Sequence, residues 1–143
     1  MLTPHEILGP DGRIAARLPR YEPREEQLAM ADAVETSLRG THHLIVEAGT
    51  GVGKSFAYLV PSLLWSTESE KEIAPLTDPS SPPPKPVEEE FDAPPPEKKK
   101  EEKAKTRRIV VSTHTISLQE QLIGKDLPLL NAVIPREFTA VLV

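Results

Sequence analysis

Cysteine is absent from these 143 residues, so the chain can form no disulfide and offers no thiolate to a metal, which suits a reducing compartment. No apolar run is long enough to cross a bilayer. The longest, near "FAYLVPSLLW", is interrupted by Pro61, whereas a span needs about 20 consecutive apolar residues. The first residues, "MLTPHEILGPDGRIAARLPR", lack a basic stretch leading into an apolar core, the mark of a secretory signal. These absences lead us to expect a soluble, cytoplasmic protein with no membrane partner.

What the chain has in excess is proline, 16 residues in all. Nine of them fall between Ser66 and Thr106, a 41-residue tract with no glycine, eleven acidic and seven basic side chains. Most of the formal net charge of −5 therefore belongs to this tract, and the acidic balance does not argue against a nucleic-acid partner. Such a composition cannot bury enough apolar surface to offset the entropy of ordering, so disorder is expected. A flexible chain of this length spans about 35 Å, and lengthening a short loop to it costs only about 2 kcal/mol. The elements "PSSP" and "PPKP" could serve a partner that binds polyproline, or act only as a solvated spacer.

On either side of the tract the pattern alternates. Pro23, Glu25 and Glu26 sit where a first helical turn tolerates them, and Leu28, Ala31, Val34 and Leu38 recur at helical spacing until Gly40. The run "HLIVE" reads as a strand buried on both faces. A glycine-rich turn follows, and Phe56, Leu59, Val60, Leu63 and Leu64 form an apolar helical face that Pro61 should bend. Beyond the tract, "RIVVST" reads as a strand, "ISLQEQLIG" as a helix with Ser117 and Glu120 at capping-box spacing and Gly124 as a stop, and "FTAVLV" as a third strand. The order predicts an α/β fold, a parallel sheet with flanking helices. We divide the chain into residues 1–65, the insertion 66–106, and residues 107–143.

The turn itself is "EAGTGVGKS", residues 47–55. A phosphate-cradling loop needs successive backbone N–H groups pointing inward, no bulky β-carbons in the way, and the positive end of the next helix facing the anion. Gly49, Gly51 and Gly53 meet the steric need, and Ala48, Thr50 and Val52 complete the loop. Lys54 would reach the β- and γ-phosphates, and the Ser55 hydroxyl would ligate Mg²⁺. The pattern opens on Ala48 where the common motif has glycine.

Two flanking segments add a job to the loop. "EAGTGVGKSFAYLVP" with "VVSTHTISLQEQLIGKDLP" resembles motifs I and Ia of the superfamily 2 DNA helicases of the DinG/XPD type, and "YEPREEQ" looks like that family's R-x-x-Q element. The resemblance covers nearly all of the chain outside the tract. It implies a RecA-like, P-loop domain of an ATP-driven translocase on single-stranded DNA, working 5′ to 3′ with a second such domain. By the same resemblance Arg24 and Gln27 stand at the adenine side, Gly49 to Ser55 hold phosphates and magnesium, with Lys54 and Ser55 catalytic, and Thr113, His114 and Thr115 meet the DNA strand. A hydroxyl-rich turn there could grip phosphate oxygens without reading bases.

Read without the resemblance, "STHT" is better explained as a polar turn whose hydroxyls cap the next helix, and Gln27 as a solvated helix residue. Tyr21 could stack on adenine or simply pack. His42 and His43 read as a surface turn, having no metal spacing, and Trp65 as a core edge. Relatives carry an acidic Asp-Glu pair for hydrolysis, yet no Asp-Glu dipeptide occurs here. Many also carry four cysteines for an iron–sulfur cluster, which only a longer protein could hold. We therefore expect an N-terminal portion that hydrolyses no ATP alone. Other readings are a P-loop kinase, or a scaffold whose Pro-rich arm recruits partners.

Overall fold

A computed structural model describes residues 1–68 and 107–143. The expected disorder of the insertion, with "PSSP" and "PPKP", falls on residues 69–106, outside the described residues. Its first residues, Ser66 to Glu68, are described.

The lead-in, expected to be irregular, forms two short helices, α1 (Pro4–Leu8) and α2 (Arg13–Arg17). The signal for α1 was "TPHE": Thr3 accepts a bond from the Glu6 N–H while the Glu6 carboxylate accepts from the Thr3 N–H at 2.8 Å, a reciprocal cap with proline at the first helical position. Bonded to both the amide and the hydroxyl of Thr3, the Glu6 carboxyl lies below its ordinary range. The amphipathic helix expected from Leu28 to Leu38 is α3 (Glu25–Gly40), and the helix behind the glycine-rich turn is α4 (Lys54–Ser66). Helix α4 runs on through Pro61, which cannot donate to the Ala57 carbonyl, and the fully buried proline ring packs in the core instead.

Past the tract, α5 (Ile116–Gln121) passes into a π-helical turn (Leu122–Asp126) and then α6 (Leu127–Val133). Gly124 therefore does not stop the helix. Its φ is not positive, and the wider π turn absorbs it. The cap is Thr115, whose hydroxyl oxygen accepts from the Leu118 N–H at 3.3 Å, not Ser117. Ile7, Leu8, Ile14, Ala31, Leu59, Val60, Leu63, Leu64, Leu122, Leu130, Val133 and Ile134 make one core between these helices.

The α/β expectation is overturned. Among the described residues there is no strand and no sheet, so the RecA-like parallel sheet predicted from the sequence is absent. Residues 44–47, 108–112 and 138–143 are extended, but no strand pairs with them. Ile45 is 97% exposed, Val110 92% and Val141 75%, where a buried central strand was expected. β-Branched residues favour extended backbone through local sterics. A sheet requires in addition that a neighbouring strand take up the N–H and C=O groups, and that is a tertiary condition.

The end of α4 is held from beyond the tract. Its last carbonyls would be unpaired, yet Thr67 donates to Leu63 through its N–H at 3.0 Å and its hydroxyl at 2.6 Å, Arg136 donates to Leu64 at 3.0 Å, and Arg107 to Trp65 at 2.6 Å. Two guanidinium groups thus meet the negative end of the helix. Arg107 also lies 4.6 Å from the Trp65 ring centroid, a cation–π distance, so Trp65 does sit at a core edge. The Glu68 carboxylate, its side chain 2% exposed, receives Arg39 at 3.1 Å through both oxygens and Arg107 at 3.5 Å. Burial pushes that carboxyl up, but the two guanidinium groups outweigh it and hold it below its ordinary range.

Candidate functional site

The glycine-rich turn joins the exposed residues 44–47 to the start of α4. Gly51 and Gly53 have φ of 82° and 83°, the left-handed region that costs other residues about 1–2 kcal/mol. These two glycines fold the chain back so that α4 begins at Lys54, with its unpaired first N–H groups at the turn. A 13-residue helix with no acidic residue in its first turn presents its positive end here.

Three side chains hold carbonyls of the turn. Lys54 Nζ donates to Ala48 at 2.9 Å and to Gly49 at 2.8 Å. Arg24, at the cap of α3, donates to Gly51, and Gln27 Nε2 donates to Gly53 at 3.0 Å. Arg24, Gln27 and residues 48–54, far apart in sequence, are thus brought together. Gln27 is not the solvated residue that bare sequence suggests: it is 3% exposed. Tyr21 packs rather than standing free, and its hydroxyl lies 2.7 Å from Gln27 Oε1 and 2.8 Å from the Leu8 carbonyl. Burial raises the Tyr21 phenol above its ordinary value. No spacing rule could have paired Tyr21 with Gln27, since the chain between them leaves α2 and enters α3.

Beside the turn is a cavity of about 600 Å³ lined by Leu18, Pro19, Tyr21, Gln27, Val52 and Phe56, with Arg20, Glu22 and Arg24 at its walls. Ser55 lies in the first turn of α4, and its hydroxyl interacts with the phenol of Tyr58 one turn on. Burial raises the Tyr58 phenol, the Ser55 hydroxyl opposes that, and the charge of Asp126 adds to it. Asp126, buried in the π turn, bonds Gln121 Nε2 at 3.2 Å. Burial raises its carboxyl more than Gln121 and Lys125 lower it.

The hydrogen bonds of residues 113–115 stay within their own turn: Thr113 donates to the Thr115 carbonyl at 3.3 Å, and Thr115 caps α5. His114 is exposed, as are His42 and His43. Among the described residues no three His, Cys, Asp or Glu side chains are grouped to hold a metal ion. A magnesium ion here would therefore take one oxygen from Ser55 and the rest from phosphate and water, as that ion commonly does. No helix among the described residues is long and apolar enough to cross a membrane.

Similarity to characterised proteins agrees with the motifs. The chain is 32% identical over 119 residues, 83% of its length, to the ATP-dependent DNA helicase YoaA of Escherichia coli, of which this covers 12%. It is 30% identical over 131 residues, 88% of its length, to the ATP-dependent DNA helicase DinG of Photobacterium profundum, covering 14% of that protein. It is 32% identical over 127 residues, 87% of its length, to DinG of Escherichia coli, covering 13%. No family model and no solved structure matches the chain. It spans 12–14% of the length of these relatives, and over that share the chain is a homologue of the DinG-type ATP-dependent DNA helicases.

Proposed function

We propose that this chain is the ATP-binding portion of a DinG-type DNA helicase that, in the complete protein, moves on single-stranded DNA with 5′ to 3′ polarity. The observation that carries the reading is the turn at residues 48–53, with two left-handed glycines directly before the N-terminus of α4 and Lys54 in the first position of that helix. Phosphate oxygens would accept from the N–H groups of Gly49 to Ser55. Lys54 Nζ, which bonds carbonyls five and six residues back, has the reach to exchange them for terminal phosphate oxygens. Arg24 and Gln27 stand on the side of the apolar cavity, where a base would be sheltered. ATP with Mg²⁺ is the expected ligand, Ser55 supplying one magnesium ligand and the phosphates others.

Residues Thr113, His114 and Thr115 are proposed to meet the DNA backbone. Of these Thr115 already spends its hydroxyl on α5, so Thr113 and His114 have more freedom to bond phosphate. ATP hydrolysis drives unwinding in the proposed whole protein; within this sequence no Asp-Glu dipeptide is present to orient water. The test is a fluorescence titration of residues 1–143 with ATP and with adenosine, for the unaltered chain and for Lys54→Ala. ATP binding should fall far more than adenosine binding, and equal loss of both would refute the assignment of Lys54 to the phosphates.

A further inference from the structure

We propose that Gln27 acts on the phosphate loop through the Gly53 carbonyl and does not read the base. It is then a positioning residue, and this rests on reading the loop as a nucleotide site. A side-chain amide reads an adenine edge by pairing its oxygen and one N–H with the base at once. Here Oε1 is 2.7 Å from the Tyr21 hydroxyl, Nε2 is 3.0 Å from the Gly53 carbonyl, and the residue is 3% exposed. The oxygen needed for the base is committed inward. Reversing the amide would set its oxygen against the Gly53 carbonyl oxygen, two acceptors facing each other, so the fit also fixes which way it points.

The Gly53 carbonyl is also the acceptor of the Ala57 N–H at 3.2 Å, which anchors the first turn of α4. Gln27 therefore shares with the helix the one oxygen that orients its first turn. A β-carbon on Gly53 would stand 2.2 Å from Nε2, so the amide lies against the left-handed glycine with no room between. On its other side the Tyr21 hydroxyl lies 2.8 Å from the Leu8 carbonyl at the end of α1, and the Tyr21 ring packs against the core. The relay Leu8, Tyr21, Gln27, Gly53 runs from the core to the phosphate loop. A base in the neighbouring cavity would meet the walls formed by Leu18, Pro19, Val52 and Phe56.

The experiment titrates residues 1–143 with ATP, GTP, inorganic tripolyphosphate and adenosine, comparing the unaltered chain with Gln27→Ala, Tyr21→Phe and Lys54→Ala. Gln27→Ala should weaken ATP, GTP and tripolyphosphate by the same factor, about tenfold for one lost buried hydrogen bond, leaving adenosine binding and the ATP-to-GTP ratio unchanged. Tyr21→Phe, which removes one oxygen and keeps the ring, should move the same three affinities in the same direction by a smaller factor. A ratio of ATP to GTP affinity that collapses in Gln27→Ala, with tripolyphosphate unaffected, would overturn the proposal and return Gln27 to the base. If the unaltered chain bound neither ATP nor tripolyphosphate and Lys54→Ala changed nothing, the nucleotide reading itself would fall, and this proposal with it.

Discussion

A β-carbon built on Gly53 would stand 2.2 Å from the amide nitrogen of Gln27, whereas one built on Gly49 meets nothing within 4 Å. Two glycines of the same short motif therefore differ in what they tolerate. Gly53 is left-handed and Gly49 is not.

Gly53→Ala should cost about 1–3 kcal/mol from the left-handed backbone and more from displacing Gln27, while Gly49→Ala should change stability by less than about 0.5 kcal/mol, like other substitutions into open space. Thermal melts of both variants check this. Equal losses would mean that the turn is looser than its contacts indicate.

Glu68 joins Arg39 of α3 to Arg107 beyond the tract. Glu68→Gln should destabilise by about 2 kcal/mol, between an exposed pair and a buried one. The pH dependence follows from the sign. A carboxyl held below its unfolded value stabilises above that value and loses the contribution as pH falls through the folded one. The difference between the unaltered chain and Glu68→Gln should thus be full at neutral pH and shrink below about pH 4, which melts across that range would show.

Asp126 has the opposite sign. Its raised carboxyl binds a proton more tightly when folded, so its stability contribution falls as pH rises from the unfolded value near 4 through the folded one. Asp126→Asn keeps an oxygen for Gln121 and should raise the melting temperature at neutral pH, with the gain vanishing in acid. A lower melting temperature at neutral pH would show that the charge itself is used.

Replacing residues 69–106 with a short Gly/Ser connection should leave the melting temperature nearly unchanged, because loop-closure entropy varies slowly with length. Starting the replacement at Ser66 instead removes Glu68 and the Thr67 hydroxyl that donates to Leu63, and that version should melt earlier. Equal melting of the two would show that the contacts of Glu68 add nothing.

The local chemistry was legible in the sequence. Helix α3 followed from the spacing of Leu28, Ala31, Val34 and Leu38, the start of α4 from glycines before Lys54, and the homology from the motifs around them, because each rests on neighbours within one or two turns. The cap of α1 was legible too, in "TPHE", though we read that lead-in as irregular. What the sequence left open was decided by partners far along the chain. Ile45, Val110 and Val141 have the composition of buried strands and lie exposed, since extended backbone is a local preference and a sheet is a pairing. Gln27 reads as a solvated helix residue until Tyr21 and Gly53 close on the two ends of its amide. Glu68 reads as one acid among many in a charged tract until Arg39 and Arg107 meet it. Burial and hydrogen-bond partners are properties of the packed chain, and only the tertiary structure could assign them.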